Sequence, residues 1–208
     1  WPKVSHPVSV GGLGFGFKWN MGWMNDFLSY MRTPVDYRTK EHGKITFSLM
    51  YAFSENFIQV LSHDEVVHEK QCMLYKMPGT MEEKYANLKA AYGYMFMHPG
   101  KKMLFMGDEL AVKKEWNEKT ELEWGLLEDK SHKGVQNFVK QLNHLYTTEK
   151  ALWDVNEGYE NFEWIDCENA AQKVLSFVRK GKSREEDLLV ILNFSDQAYE
   201  SYRIGVPY

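Results

Sequence analysis

An α/β fold with a smaller antiparallel β unit behind it is what this 208-residue sequence predicts, and two observations carry the reading. Between residues 15 and 149, short apolar runs suited to buried strands alternate with segments whose apolar residues recur every three to four positions. That is the rhythm of a parallel sheet with helical crossovers. Beyond about residue 157 the crossover helices stop. "FEWIDC", "KVLSFVRK" and "DLLVILNFS" then follow one another between polar turns, a pattern that suits antiparallel pairing. The boundary is expected between Trp153 and Gly158.

Taken in order, residues 1–16 are rich in Pro and Gly without periodicity and read as a loop, with a short strand expected over Phe15 to Trp19. Trp23, Met24, Phe27, Leu28 and Met31 share one helix face, and Pro34 stops that helix. Ile45, Leu49, Ala52 and Phe53 fit helical spacing too, although a β-branched start leaves this stretch open between helix and strand. "FIQVL" is a buried strand. Thr80 followed by Glu83 is a capping-box pattern, opening a helix striped by Tyr85, Leu88, Ala91, Tyr92 and Met95 and closed by "HPG". "KKMLFMGDEL" repeats the design of an apolar strand running into acids. Val135, Phe138, Val139, Leu142, Leu145 and Tyr146 mark a last helix over 134–149.

Composition excludes several function classes. The chain is 44% hydrophobic and 15% aromatic, enough for a sizeable core, and its formal charge of -4 gives no field for nucleic acid. No apolar run approaches the roughly 20 residues that span a bilayer. Two cysteines are too few for a disulfide scaffold, so a reducing cytoplasm is the expected location. The first residues, "WPKVSHPVSV", read as an interior cut, and a fragment is suspected.

The chemistry gathers where strands end, as it does in parallel α/β folds. His63, Asp64, Glu65 and His68 follow one strand, and Asp108 and Glu109 follow the next. A single acid there is usually a helix cap, but four ionisable groups beside a buried strand cost desolvation unless they are used. Neighbours on a strand point to opposite faces, which rules out Ser62, His63 and Asp64 as a hydrolytic triad. Glu65 and His68 have the Glu-x-x-His spacing of di-iron bundles but lack the second pair, and His63 and His68 are too far apart for a zinc-protease motif. A metal is the weaker reading of these residues. Sugar chemistry is the third reading, with carboxylates supporting an oxocarbenium-like transition state and Trp19, Trp23, Tyr75 and Trp116 available for stacking on sugar rings, unless they belong to the core.

"GGLGFGFKWNMGWMNDFL", "YAFSENFIQVLSHDEVVHEK", "KMPGTMEEKYANLKAAYGYMFMHPGKKMLFMGDELA" and "EWNEKTELEWGLLE" together resemble the α-1,4-glucan branching enzymes of the α-amylase superfamily. The resemblance covers nearly the whole chain in order, and "SHDEVVH" is more specific than any pattern shared by amylases at large. It implies the later strands and helices of a (β/α)₈ TIM barrel in residues 1–153, and the N-terminal part of a C-terminal all-β sandwich in residues 154–208. Carried over residue by residue, it makes Asp64 the acid that holds sugar hydroxyls and stabilises the transition state. His63 becomes a hydrogen-bond partner of the same sugar. Glu65, His68, Asp108 and Glu109 are placed around the pocket.

The family's nucleophile and acid/base fall on segments outside these residues, so the chain alone is expected to be inactive. The resemblance implies no metal or organic cofactor. The implied partner is an α-1,4-glucan such as glycogen or amylose, with neither nucleic acid nor membrane, and an isolated half barrel is expected to self-associate. An α-glucan hydrolase of the same superfamily and a non-catalytic glucan-binding protein are the rival readings. Two positions depart from the family pattern: Glu69 stands where Gly is usual, and Val60 where Pro is usual.

Overall fold

A central strand, β2 (Phe57–Leu61), lies between β1 (Lys18–Trp19) and β3 (Lys101–Leu104), and both neighbours run parallel to it. The register pairs Lys18 with Phe57 and runs from Ile58 opposite Lys101 to Leu61 opposite Leu104. The computed structural model describes residues 3–154 and 158–206. Crossovers of helix return the chain to the same end of the sheet each time, as parallel pairing requires.

The first crossover opens with α1 (Met21–Arg32), where the Asn20 side chain accepts the Trp23 backbone N–H at 3.1 Å. Its stripe of Trp23, Met24, Phe27, Leu28 and Met31 is buried as the spacing foretells, and Tyr30 joins it. Two one-turn helices follow, α2 (Arg38–Glu41) and α3 (Gly43–Thr46). The undecided stretch around Ile45 is thus helical, continuing as a 3₁₀ turn over Phe47–Met50. The second crossover carries α4 (Met73–Lys76) and α5 (Met81–Met97), the latter with a complete capping box between Thr80 and Glu83. Every residue from Ala91 to Met97 is buried, so this helix ends inside the molecule. After β3, α6 (Lys130–Thr148) covers α5 with His132, Val135, Val139 and Leu142.

The second sheet is antiparallel in the order β4 (Phe162–Asp166), β5 (Val174–Arg179), β6 (Leu188–Asn193). Leu175, Phe177, Val190 and Phe194 pack into the same core as Trp23, Phe27, Tyr30 and Tyr94. Long basic side chains reach helix-end carbonyls here, and two of them, Arg38 and Arg179, join this sheet to the helices. Arg38, with no exposed surface, donates to the carbonyls of Met31 and Thr33 at the end of α1 and to that of Phe194 beyond β6. Arg179 donates to the Met97 carbonyl and Lys102 to that of His98, both at the end of α5. The last carbonyls of a helix lack internal partners and sit at its negative pole, so these cations satisfy both needs at once.

One expectation fails. No part of a TIM barrel is formed: the described strands make two separate three-stranded sheets, and the parallel one is open. Closing a barrel takes about eight tilted strands with matched stagger, and three strands leave two free edges instead. The strand expected over Phe15 to Trp19 also shrinks to two residues, because its partner β2 begins at Phe57, which pairs with Lys18. Part of the expected boundary, residues 155–157, lies outside the described residues, as do Trp1 and Pro2.

Candidate active site at the end of the central strand

Leu61 is the last strand residue of β2, and Ser62, still extended, leads into a single 3₁₀ turn over His63–Glu65. This turn throws consecutive side chains in different directions. His63 and Asp64 face outward, each with nearly half its side chain exposed, and His63 Nε2 lies 3.2 Å from Asp64 Oδ1. The Ser62 hydroxyl donates to the other Asp64 oxygen at 3.3 Å. Asp64 is therefore held on two sides and still half exposed, so it can accept hydrogen bonds from a ligand's hydroxyl or amide groups.

Two aromatic rings frame the pair. Phe105, whose N–H extends the ladder by donating to the Leu61 carbonyl, has its ring centre 5.9 Å from the His63 ring. Trp116 lies at the same distance edge-on and packs against Phe105 at 5.4 Å. Of the four aromatics expected as sugar-stacking candidates, only Trp116 is found beside His63. Trp23 is a core residue with no exposed surface.

Glu65 points the other way. It is buried, with Lys70 Nζ at 3.3 Å and Arg32 at 3.6 Å from its carboxylate, and Lys70 also donates to the Asp64 carbonyl at 2.7 Å. Lys76, buried alongside, gives its Nζ to the Lys70 carbonyl. Burial first, and then the Arg32 charge, pulls the Lys76 ammonium down to about 8. Three cations around one acid thus anchor the loop after the 3₁₀ turn. His68 is exposed, with φ 56°.

The acids after β3 sit deeper. Asp108 is 1% exposed, and burial, followed by the Glu109 charge, raises its carboxyl well above the usual range. One of its oxygens has no hydrogen-bond partner. The Tyr92 hydroxyl donates to its backbone carbonyl at 3.0 Å. Glu109 bends back to accept the Gly107 N–H at 2.8 Å, so it closes its own turn. Asp108 helps to line a cavity of about 310 Å³ together with Val66, Met106, Glu115, Trp116 and Glu121. His63 thus packs on Trp116, and Asp108 shares a cavity lining with it, whereas Glu65 is buried among cations and Glu109 closes its own turn. No group of three or more His, Cys, Asp or Glu able to hold a metal ion occurs among the described residues.

Sequence reasoning missed Glu115, Arg32 and the buried position of Lys76. Loop residues 115–116 are brought to the site by a return of the chain that leaves no periodic trace. The only available signal was the Glu-Trp pair itself.

Comparison with known proteins gives the chain's relatives. Residues 164–208 match the family model of the alpha amylase C-terminal all-beta domain. Over 207 residues, the whole of this chain, the sequence is 50% identical to a 1,4-alpha-glucan branching enzyme GlgB of Geobacillus stearothermophilus. It is 54% identical to the protein of that name from Aquifex aeolicus and 50% to that from Halothermothrix orenii. The chain is similar to these branching enzymes over its whole length. It spans about a third of the length of these curated relatives: 32%, 33% and 33%. The resemblance of the "SHDEVVH" and "HPGKK" segments to the branching enzymes therefore extends over every element described above.

Proposed function

We propose that this chain is part of a 1,4-alpha-glucan branching enzyme. Such an enzyme cleaves an α-1,4 linkage and transfers the released chain to a 6-hydroxyl of another glucan, the branching step of glycogen synthesis. The observation that carries the reading is the half-exposed His63–Asp64 pair at the end of β2, framed by Phe105 and Trp116, in a chain about half identical to proteins of that name. Asp64 accepts hydrogen bonds from sugar hydroxyls at the cleavage subsite and favours the distorted, positively charged transition state. His63 binds the same sugar, and Trp116 supplies an apolar face beside it.

The nucleophile and the acid/base of a retaining transfer stand about 5–5.5 Å apart, and we assign neither role to a residue here. Asp108 serves the same pocket from below, and Glu65 and His68 shape its loop. The cytoplasm is the proposed place of action, in keeping with two free thiols, Cys72 and Cys167. No helix among the described residues is long and apolar enough to cross a membrane.

The test is to incubate the longer protein of which we propose this chain is a part with amylose and count new α-1,6 linkages by proton NMR. Branches are expected. Reducing ends without branches would favour a hydrolase of the same superfamily, and glucan retention without turnover would favour a binding protein.

A further inference from the structure

The loop after the 3₁₀ turn is backbone-strained. His68, Glu69 and Gln71 have φ of 56°, 65° and 66°, a left-handed region in which residues with side chains are disfavoured. Successive backbone N–H groups in such a conformation converge into a concavity that binds an anion. That concavity is already filled from within the chain. Glu115 accepts the Glu69 N–H at 3.1 Å through one carboxylate oxygen and the Gln71 N–H at 2.7 Å through the other. The next residue, Trp116, donates its own N–H to the Val66 carbonyl at 2.8 Å, and its ring lies against His63. Residues 115–116 and 66–71 are thus joined by three hydrogen bonds immediately behind the His63–Asp64 pair.

We propose that Glu115 is a positioning residue for the glucan site. Its carboxylate holds the strained 68–71 loop and, through the shared anchorage, fixes the Trp116 ring against His63. This rests on the function proposed above, but the contact itself can be tested without it. Glutamine keeps one acceptor oxygen and puts a second N–H donor where the other amide needs an acceptor, so Glu115→Gln should break half of the clamp. Glu115→Ala removes all of it.

The experiment is amide hydrogen exchange and branching kinetics on the intact protein, for the parent and both variants. Exchange at Glu69 and Gln71 should rise at least tenfold in Glu115→Ala, and less in Glu115→Gln. Turnover should fall roughly ten- to a hundredfold, by a larger factor than KM rises, because misplacing substrate-holding groups by about 1 Å costs on that order. Adding Glu69→Gly, which relieves one left-handed residue, should recover part of the turnover lost in Glu115→Gln. Unchanged exchange at both amides would overturn the proposal. A rise in KM with turnover intact would do so too, by making Glu115 a sugar ligand on the cavity it lines. If the parent protein makes no branches, the proposed function fails, while the exchange data still decide whether Glu115 holds the loop.

Discussion

His98 shows how a single buried residue can set a pH limit on the fold. It is 1% exposed; its Nδ1–H donates to the Pro99 carbonyl and its Nε2 accepts the Ser48 hydroxyl, both at 2.9 Å. Only the neutral ring satisfies both partners, and burial drives its pKa from 6.5 down to about 3. The unfolded chain therefore takes up a proton that the native state refuses. Stability is full above the unfolded value and is lost as pH falls from 6.5 towards 3, by about 1.4 kcal/mol per pH unit. Urea unfolding at pH 7 and pH 5 should show a loss of about 2 kcal/mol that shrinks in His98→Gln. An unchanged difference in the variant would remove His98 from the account.

Asp64 belongs to the same scale. Asp64→Asn keeps the size and loses the charge, so branching should drop by roughly a hundredfold or more at constant fold, read as α-1,6 linkages by NMR. The His63–Asp64 pair was legible because so many ionisable residues after an apolar strand are conspicuous. The inward turn of Glu65 was not, since its partner Arg32 lies on another element and a 3₁₀ turn, not a strand, decides which side chain faces where.

At the level of elements, local signals and structure agree wherever a helix start is written into side chains. The Thr80 hydroxyl accepts the Glu83 N–H at 3.3 Å, and the Glu83 carboxylate accepts the Thr80 N–H at 2.6 Å. Thr80→Ala should cost about 1 kcal/mol, measured as a shift in the urea midpoint at constant slope. A midpoint that does not move would mean that the buried second half of α5 holds the helix without its cap. Helix ends were less legible than starts. The carbonyls ending α1 and α5 are satisfied by Arg38, Arg179 and Lys102, and no local motif announces a cation arriving from more than 80 residues away, as Arg179 does at Met97. Strand length was equally hidden, since β1 is limited to the two residues that pair with the start of β2.

For the molecule as a whole, the alternation of strand and helix made the parallel sheet legible, whereas the barrel was an inference from resemblance that the topology does not support. What the three parallel strands do leave is exposure. β1 and β3 each have one unpaired edge, and the segment leading into β1 carries Val10, Leu13, Phe15 and Phe17, each more than half exposed. Unpaired edges template further strand pairing, and a contiguous apolar surface beside one adds a hydrophobic driving force. The described chain also holds its two sheets in one core, with Phe194 packed against Tyr30 and Tyr94, so the edges cannot be covered by swinging the second sheet over them without breaking the Arg38 hydrogen bonds. The isolated 208-residue chain should therefore self-associate. Light-scattering chromatography at micromolar concentration should give a mass above the monomer. Phe15→Ser with Phe17→Ser, which reduces the apolar surface but leaves the core intact, should shift it downward. A single monomer peak for the parent chain would show that these edges are quiet in solution.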